Sequence, residues 1–407
     1  MSAAPLGHPD VVTAPTRATT STRGPGSRTT SDTARRPAHL PQLDGLRTVA
    51  VALVLAYHVA RTQEMDWLPG GFVGVDLFFV LSGFLITSLL LREHRSTGRL
   101  DLRRFYVRRL WRLYPALILV CAVVAVVFTF FPGVFGLEAA SPLEALVALV
   151  YGMSWWSGLE IEGGPYLLGL TWSLSVEEHF YLLWPLVLLA LLRRGGGVRA
   201  VTAVAVLANA YTAVLWHLGA DPDRLYYMAD ARFAQMLTGC ALAAALFARP
   251  DLGRLRPAVS GRAAAVSGVG IAVVALVGSR YEAWYWSGGM QLVGVGAAVL
   301  IGHLAVHRDS PLSVALRWGP LPTLGVWSYG IYLWHLPLIR LAQPVLGETL
   351  LVATLGGLAA IPVAAASYRY VEQPLQRRRT LRLLSSVPSA ERRPERSSQS
   401  QELSRAA

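Results

Sequence analysis

The sequence contains no lysine, so all 37 of its basic residues are arginine. Its two cysteines, Cys121 and Cys240, both fall inside apolar runs. That excludes a disulfide framework and any metal site built on cysteine. Charged residues make up only 15% of the chain, against roughly 25% in soluble domains. No segment repeats at a fixed period, which excludes a solenoid. What the chain has instead is apolar length. Hydrophobic residues reach 53% and the mean hydropathy is +0.42. Both numbers point to an all-α, polytopic membrane protein.

About ten transmembrane helices are expected, at roughly 45–61, 72–91, 106–130, 173–192, 198–218, 231–248, 261–279, 288–306, 323–341 and 349–370. A further apolar stretch, 142–157, reads as a re-entrant or interfacial segment. If it crossed fully, Glu160 and Glu162 would become cytoplasmic and the basic Arg193–Arg199 loop external. The net charge of +12 does not indicate nucleic acid, because the arginines concentrate in tails and short loops. Eight of them lie between Arg92 and Arg112, beside two acids, so that connection should face the cytoplasm. The loops near Glu138, Asp221–Asp223 and Glu282 are more acidic and should face outward. With ten spans both termini are cytoplasmic, in a multi-pass protein of the cell membrane. Residues 1–40 are rich in Thr, Ser, Pro and Arg and read as a disordered cytoplasmic arm, not a signal peptide. Residues 41–375 form the membrane domain, and 376–407 a basic, serine-rich cytoplasmic tail that no soluble domain follows.

Ionisable groups inside apolar helices are costly and mark functional candidates. His58 stands out. It follows Arg47 by eleven residues in one apolar helix, roughly 16 Å along the axis, about half the hydrocarbon thickness. Arg47 then marks the membrane edge, and His58 lies well inside. Asp76 is buried in a glycine-rich span, Gly70–Ile86, whose small residues suit close helix packing. Arg109 and Arg112 share one helical face at the cytoplasmic boundary, and their forks suit phosphate. Glu177, Glu178 and His179 head another apolar helix, near the depth of His58. A histidine with a carboxylate partner is the usual general-base pair, which makes Glu177 the candidate partner. Asp44, Arg232 and His335, the last followed by Pro337, are further candidates. For most of these residues the alternative is structural: a core hydrogen bond, a packing face or a topology anchor.

Six motifs in order resemble the membrane-bound acyltransferase-3 family. They are Leu-Asp-Gly-Leu-Arg47 with His58, Gly-Val-Asp76-Leu-Phe-Phe-Val-Leu-Ser-Gly-Phe-Leu-Ile, Phe-Tyr-Val-Arg-Arg109-Leu-Trp-Arg112-Leu-Tyr-Pro, Trp-Ser-Leu-Ser-Val-Glu177-Glu178-His-Phe-Tyr, Ser-Tyr-Gly-Ile-Tyr-Leu-Trp-His335 and Val-Glu372-Gln-Pro. The chain departs from the family's common pattern at His179, where a glutamine or other polar residue is usual, and in lacking the extracytoplasmic hydrolase-like domain fused to some members. That second departure leaves room for a partner protein. The resemblance implies transfer of an acyl group, often acetyl, from acyl-CoA to a hydroxyl of a carbohydrate or a macrolide-like small molecule. His58 would be the general base, and Arg47, Arg109 and Arg112 would hold the coenzyme's phosphates. Acyl-CoA is then a co-substrate, and no permanently bound cofactor or metal is expected. A covalent acyl-histidine remains an alternative to direct transfer. The rival class is a transporter or flippase, because midplane charges and glycine-interrupted helices also mark transport sites.

Overall fold

The computed structural model describes residues 39–134, 143–159, 167–248 and 255–377. Residues 1–38 of the expected arm, 378–407 of the expected tail, and Glu138, Glu160 and Glu162 lie outside the described residues. Among the described residues every regular element is helical. In order these are α1 (Pro41–Arg61), α2 (Val73–Thr97), α3 (Leu102–Phe130), α4 (Leu143–Leu149), α5 (Met153–Gly158), α6 (Trp172–Arg193), α7 (Gly197–His217), α8 (Pro222–Tyr227), α9 (Ala229–Ala248), α10 (Leu255–Ala258), α11 (Gly261–Val277), α12 (Met290–Val306), α13 (Pro311–Leu316), α14 (Leu321–Leu346) and α15 (Leu350–Ser367). Polar residues set several starts. Asp101 caps α3 by accepting from the Arg104 amide at 2.9 Å, and Ser260 and Thr349 cap α11 and α15 in the same way. Gly98, at φ 70°, closes α2 in the left-handed conformation.

Among the described residues nine helices are long and apolar enough to cross a membrane, so the protein is a multi-pass membrane protein. The one expected span that is not among the nine, 323–341, is α14. Its 26 residues extend roughly 39 Å, enough to cross, but they include His335, Arg340 and interior Pro337 and Pro344. It packs chiefly on α15 and α1, so neighbouring helices shield its polar groups. Segment 142–157 does not cross. It forms α4 and α5, of 7 and 6 residues, broken at Tyr151, whose φ of 56° ends the first turn.

Glycines let the central helices touch. A Cβ on Gly83 of α2 would lie 1.9 Å from the Met236 carbonyl oxygen of α9, and one on Gly239 would lie 2.0 Å from the Val80 oxygen. The crossing therefore rests on backbone-to-backbone contact, as small-residue motifs allow in membranes. Because successive helices alternate in direction, the bundle has two distinct ends. Arg47, Arg92–Arg112 and Arg193–Arg199 gather at one. His58, the 62–72 and 218–228 connections and the 278–284 loop gather at the other.

Candidate functional site

His58 lies near the C-terminal end of α1 and lines a cavity of about 380 Å³. Behind it, fully buried on α14, is His335. His58 Nδ1 and His335 Nε2 are 3.0 Å apart. His335 Nδ1 faces two carbonyl oxygens, Tyr332 at 2.7 Å and Ile331 at 3.3 Å. A carbonyl can only accept, so His335 Nδ1 carries the proton and its Nε2 is the acceptor. His58 Nδ1–H then donates to His335 Nε2. That leaves His58 Nε2 with its lone pair free. For a neutral pair the geometry thus fixes one tautomer.

Glu177 is not the partner of His58. It accepts from Ser82 Oγ of α2 at 2.8 Å, deeper in the bundle. Sequence placed Glu177 and His58 at a common depth. The first turn of α6 at Trp172 instead occupies the cavity level, and Glu177 lies more than a turn further in. Asp76 and Arg232 do not line the cavity either. They form a fully buried ion pair between α2 and α9, and Tyr285 Oη donates to Asp76 at 2.7 Å. The Arg232 guanidinium lies 5.3 Å from the Tyr226 ring and 5.9 Å from that of Trp172, two residues of the cavity wall. The pair supports the wall from behind.

The opposite end holds the other candidates. Arg109 lies over the Tyr181 ring, 3.3 Å from its centroid, and its Nε is 3.8 Å from Glu178. Neither that Nε nor the facing Glu178 oxygen makes a hydrogen bond. Arg47 pairs with Asp44 at 3.8 Å on the same face of α1. Both Arg47 and Arg109 act electrostatically on Arg112, whose side chain stays accessible. All three arginines thus lie toward this end of the bundle, and Arg47 and His58 are separated by roughly 16 Å of helix. Ser82 and Glu177, both only partly buried, lie between the two ends.

Several wall residues were not singled out from the sequence. Arg61, Arg280 and Arg340 all line the His58 cavity, with Trp156, Trp172, Tyr226 and Tyr227. Arg280 packs against the Tyr226 ring at 4.4 Å and pairs with Asp223 at 2.9 Å. Burial works against its charge, but the nearby tyrosines and Asp223 outweigh that and hold it protonated. Tyr332 also lines the cavity, with its hydroxyl 2.6 Å from Ser173 Oγ and 2.7 Å from the Leu170 oxygen. Glu144 of α4 is buried and accepts from the Leu167 and Leu168 amides, which fixes the strand of chain leading to Gly169 and Leu170 in the wall. One signal was available for the arginines: they lie at the end where the positive-inside rule disfavours them.

The acyltransferase-domain family matches residues 40–369. The chain is 36% identical to peptidoglycan O-acetyltransferase OatA of Listeria monocytogenes, over 83% of this chain and 56% of that protein. It is 37% identical to the putative peptidoglycan O-acetyltransferase YrhL of Bacillus subtilis, over 83% and 55%. It is 34% identical to O-acetyltransferase OatA of Staphylococcus aureus, over 84% and 58%. The chain thus spans a little over half the length of these relatives. No solved structure matches it.

Proposed function

The chain belongs to the acyltransferase-domain family, and from that premise we propose that it moves an acetyl group from acetyl-CoA to a carbohydrate hydroxyl within the membrane. The observation that carries this is the His58–His335 pair, whose hydrogen bonds leave His58 Nε2 as a lone-pair base on the cavity wall. His58 Nε2 takes the acceptor's hydroxyl proton as the oxygen attacks the thioester carbonyl. The C–O bond forms, the C–S bond breaks, and the imidazolium returns its proton to the departing thiolate. General-base help of this kind is worth roughly 10²–10⁴ in rate. His335 does not touch substrate; it positions the ring.

The donor's phosphates are assigned to Arg47, Arg109 and Arg112, where forked donors converge and the Arg109 Nε is unbonded. From there a pantetheine arm must run roughly 16 Å to bring its thioester to His58. We place its route past Ser82 and Glu177, which are half-buried and bonded to each other between the two ends. The arginine-rich end is taken as cytoplasmic, where coenzyme A is found, and the cavity end as external. The relatives' names support acetyl as the group and a wall carbohydrate as the acceptor. The aromatic cavity wall suits a sugar ring.

The test is acetyl transfer itself. Membranes carrying the protein, given radiolabelled acetyl-CoA, should release free coenzyme thiol and form alkali-labile ester label on carbohydrate. Movement of carbohydrate across the membrane with no ester formed would overturn the assignment in favour of a transporter.

A further inference from the structure

Attack on a thioester puts negative charge on the carbonyl oxygen, and a base such as His58 does nothing for that charge. It needs a separate donor held in place before the reaction begins. The hydroxyls around His58 are not equivalent in this respect. Tyr332 Oη lies 2.7 Å from the Leu170 oxygen, which can only accept, so its proton is committed there, and Ser173 Oγ donates to it at 2.6 Å. Tyr57 precedes His58 on α1, lines the same cavity, and meets the His58 ring edge-on with centroids 5.4 Å apart. It is only partly buried, and its hydroxyl is taken by no hydrogen bond among the described residues. The ring is nevertheless fixed. A Cβ on Gly71 would lie 2.8 Å from Tyr57 Cβ and 2.9 Å from the Leu53 oxygen, so glycine there lets the turn before α2 close against α1. Phe72 then packs edge-on against Tyr57 at 6.0 Å, and is itself backed by Tyr226 at 5.8 Å and Tyr285 at 5.1 Å. Arg61, one turn further along α1, and Arg280 both act electrostatically on Tyr57. A phenol beside positive charge donates more strongly to a developing anion.

We infer that Tyr57 is a second catalytic residue, whose hydroxyl donates to the oxyanion formed when the acceptor attacks the thioester. Base and donor each act over roughly 3 Å, and two rings 5.4 Å apart on one wall leave space for a single acyl group between their polar tips. As the C–O bond forms, His58 Nε2 takes the acceptor's proton and the carbonyl π electrons move to oxygen, where Tyr57 Oη–H donates to them. When the carbonyl re-forms, the C–S bond breaks and the thiolate takes the proton from His58. Tyr57 keeps its own proton throughout. This role rests on the proposed transfer and completes it.

The test compares wild type, Tyr57→Phe and His58→Ala as full-length chains in membranes, with acetyl-CoA and fluoroacetyl-CoA as donors and alkali-labile ester as the readout. Tyr57→Phe removes only the hydroxyl and leaves the ring packing. With acetyl-CoA it should lower kcat by roughly 10²–10³, the cost of one oxyanion donor, and leave the donor KM nearly unchanged. Fluorine withdraws electrons and stabilises the oxyanion by itself, so the deficit of Tyr57→Phe should be distinctly smaller with fluoroacetyl-CoA. A disturbed fold would reduce both donors alike. Ester formed by Tyr57→Phe at the wild-type rate, an equal deficit with the two donors, or a raised donor KM at unchanged kcat would each overturn the role of Tyr57. If His58→Ala is inactive in the same membranes while Tyr57→Phe is not, the transfer stands and only the Tyr57 assignment falls. Membranes in which wild type forms no ester with either donor would remove the transfer itself, and this role of Tyr57 with it.

Discussion

The ring behind His58 has its proton position set by two backbone carbonyls of its own helix, at Tyr332 and Ile331. It therefore orients His58 as a neutral acceptor, where many general-base pairs use a carboxylate. His335→Ala should lower kcat by about 100-fold and leave the KM for acetyl-CoA nearly unchanged, because the base is misplaced while the donor site is intact. A proportional rise in donor KM would mean that His335 acts on binding instead. At the other end of the bundle, Arg112→Lys keeps the charge but loses the fork. Losing a charge-assisted bond of roughly 1.5–3 kcal/mol should raise the donor KM about 10- to 150-fold. Unchanged donor kinetics would return Arg112 to the role of a topology anchor. His58 was visible in the sequence because an isolated histidine in an apolar helix has few cheap explanations. His335 was visible as a candidate too, but not as its partner, since the two lie 277 residues apart and only packing brings them together. Asp76 and Arg232 looked functional for the same reason as His58, and the structure spends them on each other.

The helices pack by leaving out side chains. At the α2–α9 crossing, a Cβ on Gly83 would meet a backbone oxygen at 1.9 Å, which no side-chain adjustment relieves. Gly83→Val should force the helices apart and destabilise the protein by at least the roughly 1–3 kcal/mol typical of overpacking. Gly270 of α11 has nothing within 4 Å of its added Cβ, so Gly270→Ala should be neutral or slightly stabilising. Thermal unfolding of the two variants in detergent should differ clearly, and equal midpoints would show that the crossing is not tight. Spans of continuous apolar residues were legible to within a few positions: the expected 173–192 and 198–218 are α6 and α7, Trp172–Arg193 and Gly197–His217. Helix α14 was expected at 323–341 and forms there, but it falls short of the other spans in apolar character. Its polar and proline content lowers its hydropathy because it carries His335, so the helix that most matters to the cavity carries the weakest membrane signal. Glu144 was silent for another reason. One acid in a short interfacial helix reads as a solvated charge, and only its two backbone partners reveal that it is buried.

For the whole molecule the proposal requires two ends with different chemistry on opposite faces of the membrane. Cys121 and Cys240 are buried, so a cysteine introduced elsewhere can report sidedness. Cysteine at Ala283, in the loop at the cavity end, should react with an impermeant maleimide applied to whole cells. Cysteine at Gly98, beside the arginine-rich end, should react only after the cells are opened. The reverse pattern would put the arginines outside and separate them from the coenzyme. Sequence supplied this arrangement through the placement of arginine, and the roughly 16 Å of α1 between Arg47 and His58 is the distance the proposed pantetheine arm must cover.

The most direct measurement is a single-turnover assay of acetyl transfer by wild type and His58→Gln, with thermal unfolding of both recorded on the same samples. Glutamine keeps the size and a hydrogen bond but has no titratable nitrogen. Transfer from the bound donor should fall by roughly 10²–10⁴ while the unfolding midpoint and donor binding stay near wild type. Ester formed by His58→Gln at the wild-type rate would contradict the assignment of His58 as the base.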